Sequence, residues 1–120
     1  MNSKAHRNSS GKDAELLALN YLKNLGYRFI ESNYSTKFGE IDLIFKDNNT
    51  LVFVEVKYRK GKQILSIEET INKRKINRIL KSAEIYINNS AHDFDEMRVD
   101  AVLIEEIEGK PIVRHIKNFY

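Results

Sequence analysis

The sequence predicts an α/β domain built on a mixed sheet, with elements in the order α-β-β-β-α-β-β. Three observations carry this. Apolar residues recur at helical spacing near the start and again past the middle. Three β-rich runs follow the first helix, two of them separated by the turn Asp47-Asn48-Asn49-Thr50. Two more such runs close the chain around Gly109 and Pro111. At 120 residues, 42% of them hydrophobic, the chain suits one compact domain with a single core. Residues 1–10 read as a polar mobile tail, and 11–120 as the domain.

The first helix is expected over Lys12 to Leu25, with Ala14, Leu17, Ala18, Tyr21, Leu22 and Leu25 as its stripe and Gly26 as its stop. Tyr27 to Tyr34 reads as a strand. In Glu40 to Lys46, alternation turns Ile41, Leu43 and Phe45 one way and Glu40, Asp42 and Ile44 the other. Leu51 to Lys57 is apolar on both faces until Glu55, as in a buried central strand. A second helix is expected from about Ser66 to Asn88, with Ile67, Ile71, Ile76, Ile79, Leu80, Ala83, Tyr86 and Ile87 inward. Arg74, Arg78 and Lys81 share another face of it. Met97 to Ile104 and Ile112 to Ile116 are the last strands. Asp100 reads as an outward residue of an alternating strand, and the lone His115 as structural. The two helices can lie on opposite faces of the sheet or share one.

Composition excludes several classes. The absence of cysteine removes disulfides, thiolate metal sites and cysteine nucleophiles, and fits a reducing cytoplasm. No apolar run is long enough to span a membrane, and none resembles a signal-peptide core. A net charge of +3 with 31% charged residues permits a polyanionic partner.

The hairpin register points to chemistry. If Asp47 to Thr50 form a four-residue loop, Lys46 meets Leu51, Asp42 meets Glu55 and Glu40 meets Lys57. Two carboxylates opposed on a sheet repel, so a partly buried pair takes up a proton or a cation. A hard divalent ion, Mg2+ or Mn2+, resolves the conflict through oxygen ligands. Lys57 beside it can position or deprotonate a water, or stabilise developing negative charge. Those parts suit phosphodiester hydrolysis. Acidic and basic residues also alternate on solvated strands, and Glu40 can form a plain cross-strand ion pair with Lys57 or can orient that lysine in the site. The apolar run before Glu55 and the opposed Asp42 favour a site.

The segments Gly39 to Phe45 (GEIDLIF) and Leu51 to Arg59 (LVFVEVKYR) resemble the signature of the PD-(D/E)xK nuclease superfamily. From about Gly11 to Tyr120 the chain is similar to the YraN-like bacterial family, related to archaeal Holliday-junction resolvases. The likeness rests also on Ala14-Glu15, Lys75, Arg98-Val99-Asp100 and the closing His115 to Phe119. It implies a restriction-endonuclease-like fold, with Asp42 and Glu55 as metal ligands, Lys57 as the catalytic lysine and Glu15 completing the site. A solvated helix glutamate is the alternative for Glu15. Lys75, at the edge of the apolar stripe, either snorkels or reaches a phosphate. Tyr58, Arg59, Lys60 and Lys62, with Arg74 and Arg78, are candidate nucleic-acid contacts, or a solvated charged face. The implied activity is endonucleolytic, on branched or otherwise non-standard DNA rather than RNA, by a homodimer. The alternatives are a nucleic-acid-binding or interaction module without turnover, and a structural ion network.

Overall fold

The computed structural model describes residues 3–61, 72–91 and 93–119, with side chains from Gly11 onward. Its elements are α1 (Ser3–Asn24), β1 (Arg28–Thr36), β2 (Gly39–Asp47), β3 (Thr50–Lys60), α2 (Lys73–Asn89), β4 (Glu96–Ile107) and β5 (Lys110–Ile116). The expected order stands. Helix α1 begins at Ser3 rather than Lys12, so helix runs through the segment expected to be a tail. No proline interrupts that segment, and its Ser and Asn residues lower helix propensity without breaking a helix. The expected start of the second helix, with Ile67 and Ile71, lies outside the described residues, as does Lys62.

Helix α1 stops where Gly26 adopts φ +95. Tyr27 N–H donates to the Leu22 carbonyl (3.2 Å) and Gly26 N–H to that of Lys23 (2.9 Å), which closes the helix end. The chain then turns directly into β1. At the other helix, Asn72 caps α2 by accepting from Lys75 N–H at 3.0 Å.

The strands form one sheet in sequence order, β1-β2-β3-β4-β5. Neighbours are antiparallel except β3 and β4, which run parallel over Thr50↔Glu96 to Lys60↔Glu106. A parallel pair needs a crossover, and the stretch between β3 and β4 that contains α2 supplies it. Strand β3 is therefore central and covered on both faces, as its apolar run requires.

Adjacent residues of β3 point to opposite faces, and they meet different helices. Val52 and Val54 join Ala14, Ala18 and Leu22 of α1, together with Leu43, Phe45, Val102 and Ile104. Leu51 and Phe53 join Ile79, Ala83 and Tyr86 of α2, with Ile44 and Val99. One helix covers each face. The α1 stripe is narrower than its spacing suggests, because Leu17 and Leu25 are 36% and 49% exposed.

Asp100, outward-facing on alternation alone, is instead 0% exposed. It accepts from Arg98 Nε (2.9 Å) and Asn118 N–H (2.9 Å), and pairs with His115 Nε2 (2.8 Å). Arg98 reaches on to Asp47 (3.1 Å) and the Tyr27 hydroxyl (2.7 Å). This network ties β4, β5, the hairpin turn and Tyr27, just beyond α1, together.

Candidate active site

The β2–β3 ladder follows the expected register, from Asp47↔Thr50 to Leu43↔Val54. There it stops. Asp42 and Glu55 are the next residues, and the strands part between them. Val56 N–H donates to Asp42 Oδ2 at 2.8 Å, so a side chain takes a bond that backbone would otherwise make.

The other neighbour of β2 is irregular at the same level. Asn33 of β1 lies between the pairs Ser32↔Leu43 and Tyr34↔Ile41, and takes the left-handed conformation, φ 52. Asparagine tolerates that region better than most side chains. Ile41 belongs to the α2-side cluster with Ile44, not with Leu43 and Phe45 as strict alternation requires.

This break gathers the acids. Asn33 Nδ2 donates to Glu15 Oε1 of α1 and to Glu40 Oε1 of β2, both at 3.2 Å. Ser35 Oγ donates to Glu40 Oε2 at 3.3 Å. Carboxylate oxygens of Glu15, Glu40 and Asp42 lie within 4.8 Å of one another. Glu40 is thus a member of the acidic group, and not the cross-strand partner of Lys57. Glu15 faces the group rather than bulk solvent alone.

Glu55, 4% exposed, arrives from the other side. Its Oε1 is 2.8 Å from Lys75 Nζ of α2. Asp42, Glu40 and Glu55 line one pocket of about 210 Å³ with Gly39, Lys75, Arg78 and Ile79. Lys75 therefore reaches the site through Glu55, and it does not simply snorkel.

The electrostatics are those of an excess of negative charge. Burial and the Glu55 charge push Asp42 up to about 7, against the Val56 N–H bond, which pulls it down. Burial and a hydrogen bond from Lys75 push Lys57 below its ordinary value, while Glu55 and Asp42 oppose this. For Lys75, burial acts downward and is the largest single influence, but the bond and charge of Glu55, with Lys57 and the Asp42 charge, together outweigh it and the net shift is upward. Lys75 is thus the charged partner of Glu55, and Lys57 the amine nearer to neutrality. The gathered oxygens of Glu15, Glu40 and Asp42 are a donor set that fits a hard divalent cation, whereas Glu55, expected as the second ligand, lies outside that group and is held by Lys75.

The proposed nucleic-acid contacts separate into groups. Tyr58 turns to the α1 face, packs against that core and donates its hydroxyl to Glu106. Arg59 is buried, and both its Nε (3.1 Å) and Nη2 (3.0 Å) bond Glu105 Oε2. Neither is a phosphate contact in this arrangement, because each polar end is committed to a carboxylate of β4. Lys60 is exposed at the end of β3, and Lys62 is outside the described residues. Arg74 and Arg78 are exposed and border an open groove beside the acidic pocket. Arg59→Ala is expected to lower stability by about 2–3 kcal/mol, by stranding Glu105 beside the weaker Arg114 contact. Denaturant unfolding would measure it. Unchanged stability with weakened oligonucleotide binding would return Arg59 to the phosphate contacts.

Spacing did not reveal Asn33, whose amide joins Glu15 to Glu40. A signal exists: an asparagine inside a strand marks a bulge or a left-handed residue.

The profile of the uncharacterised protein family UPF0102 matches residues 14–104. The chain belongs to this family. It is 45% identical over 100 residues to a UPF0102 protein of Vibrio vulnificus (strain YJ016), covering 82% of each chain. A UPF0102 protein of Clostridium botulinum (strain 657 / Type Ba4) is 41% identical over 113 residues, 92% of each chain. One from Syntrophomonas wolfei is 38% identical over 106 residues, covering 88% of this chain and 92% of that one. The UPF0102 match spans Glu15, Glu40, Asp42, Glu55, Lys57 and Lys75 alike. Among the described residues of this UPF0102 chain, no helix is long and apolar enough to cross a membrane.

Proposed function

We propose that this UPF0102 chain is a metal-dependent phosphodiesterase of the PD-(D/E)xK kind, acting within nucleic-acid strands, with branched or otherwise non-standard DNA as substrate. The observation that carries the reading is the parting of β2 and β3 at Asp42, where acids from α1, β2 and β3 converge beside two lysines. A purely structural ion network would match charges; here burial and Glu55 hold Asp42 near 7 instead.

Asp42, Glu15 and Glu40 would hold Mg2+ or Mn2+, with Glu55 at the same pocket. The ion supplies Lewis acidity and charge neutralisation at a phosphoryl oxygen. Lys57, with its proton affinity lowered by burial and by Lys75, accepts a proton from the attacking water. The water oxygen bonds to phosphorus, the bond from phosphorus to the leaving strand oxygen breaks, and that oxygen takes a proton from solvent. Lys75 orients Glu55.

The test is incubation of purified protein with Mg2+ or Mn2+ and single-stranded, duplex, flap and four-way DNA. Metal-dependent cleavage is expected, abolished by Lys57→Ala with Mn2+ binding retained. Oligonucleotide binding without any cleavage by the parent would favour a non-catalytic module. Calorimetry offers a second check. At about pH 6, Mn2+ binding should release close to one proton, because it ionises an Asp42 that is largely protonated there. Heats measured in buffers of different ionisation enthalpy count it. Binding with no proton release would contradict a shifted Asp42 as ligand.

A further inference from the structure

The turn between β1 and β2 faces the exposed flank of α2 across an open groove of about 840 Å³. Its walls carry Lys37 from the turn and Arg74, Arg78 and Lys81 from α2, all exposed, and among the described residues no acidic side chain lines it. Positions 74, 78 and 81 follow one helix face and span about 10 Å along its axis. Among the described residues, none of these four cations forms an ion pair. Two of them gather instead about an aromatic ring: Lys37 Nζ lies 5.3 Å and Lys81 Nζ 5.1 Å from the centroid of Phe38. A ring-to-ammonium contact at an exposed site is weak compensation for like charges held together. The groove is thus built to receive negative charge beside an aromatic face.

It also leads somewhere. Gly39 and Arg78 border both this groove and the acidic pocket. Gly39 sits at φ +146, where other residues are strained, and a Cβ there would lie 3.8 Å from Arg78 Cβ. The seam between the two cavities is therefore kept clear of a β2 side chain.

We infer that the groove is the track of an unpaired nucleic-acid strand, which stacks a base on Phe38 and lays its phosphates along Lys37, Arg74, Arg78 and Lys81. The inference rests on the phosphodiesterase reading of the adjoining pocket and narrows its substrate to one offering an unpaired segment. In a continuous duplex the base faces are already stacked on each other, so Phe38 gains nothing there. In a single strand every base has a free face, and stacking is indifferent to sequence. The lysines now over the ring move to phosphates when a base takes their place. The salt dependence of binding then reports how many cations are engaged.

The experiment is fluorescence anisotropy with a labelled single-stranded DNA, the RNA of the same sequence and the blunt DNA duplex, in EDTA so that nothing is cut. Expected is about tenfold or greater preference for a single strand over the duplex. Phe38→Ala should weaken single-strand binding about tenfold and leave duplex binding unchanged, and Phe38→Trp should restore it. Arg74→Ala and Arg78→Ala should each lower the slope of log affinity against log salt by about 0.7. Melting curves confirm that each variant is folded. The DNA and RNA arms show which sugar the track prefers, and Phe38 dependence in either supports it. Duplex bound as tightly as both single strands, or a Phe38→Ala loss shared equally by duplex or absent altogether, overturns it. Failure of the two readings is distinguishable. Cleavage by a protein whose single-strand affinity ignores Phe38 removes the track and keeps the nuclease. Phe38-dependent binding with no cleavage in Mg2+ or Mn2+ does the reverse.

Discussion

Asp42→Asn should abolish Mn2+ binding and lower metal-dependent cleavage by about a thousandfold or more, while making the metal-free protein more stable above neutral pH. The amide keeps an oxygen for Val56 N–H, which Asp42 Oδ2 accepts at 2.8 Å in the parent, so β2 and β3 retain their contact. What it removes is charge. The folded-state pKa of Asp42 is near 7, raised from 3.8 by burial and by Glu55. Between those values the unfolded chain has released the proton and the folded chain still holds it. The parent's stability from this group is therefore complete below about pH 4 and is lost as pH rises to about 7. The full span is worth as much as about 4 kcal/mol. The asparagine variant does not titrate, so its stability should be flatter across that window. Urea titrations at several pH values, in EDTA, measure this, and calorimetry with Mn2+ measures the ligand role. A variant that binds Mn2+ like the parent, or shows the same pH slope, would remove Asp42 from the centre of the site.

Asp100→Ala should have the largest effect on stability, a loss of about 3–5 kcal/mol, which in a chain of this size lowers the melting temperature by roughly 10–20 °C. The carboxylate is 0% exposed and holds Arg98, His115 and the Asn118 N–H. Without it the guanidinium keeps only Asp47 and Tyr27, and a backbone donor loses its acceptor. Burial alone would raise the Asp100 pKa, but the bonds from His115 and Arg98 and the Asn118 N–H hold it below the ordinary value. Its stabilisation is thus present at neutral pH and is lost as pH falls through that lowered value. The variant should accordingly lose stability at pH 7 and show a shallower acid limb. Thermal melts across pH check both. A melting temperature within a few degrees of the parent would mean that the network is held together by its other bonds.

The hairpin was the most legible part of the site. Its register follows from the length of the turn and from alternation, and the ladder from Asp47↔Thr50 to Leu43↔Val54 obeys it. Extrapolating one step further failed, because the strands part at Asp42. At that level Val56 N–H bonds the Asp42 side chain and Asn33 of a different strand takes a left-handed conformation, neither of which local spacing encodes. Arg59 and Tyr58 looked like phosphate contacts because they follow Lys57 in sequence. Their partners, Glu105 and Glu106, come from β4, some 46 and 48 residues further on. Asp100 looked outward because alternation identifies a face and not what covers it.

The amino-acid order alone set the order of the described elements, the hairpin register and the presence of Asp42, Glu55 and Lys57 on neighbouring strands, since turn chemistry and side-chain period act over a few residues. Tertiary structure decided which helix covers each face. With α1 on one side and α2 on the other, Glu15 and Lys75 enter the same opening from opposite directions. It also decided that β3 runs parallel to β4, which buries Asp100 and engages Arg59. These outcomes depend on which distant apolar stripes cover one another, and no local spacing encodes that choice.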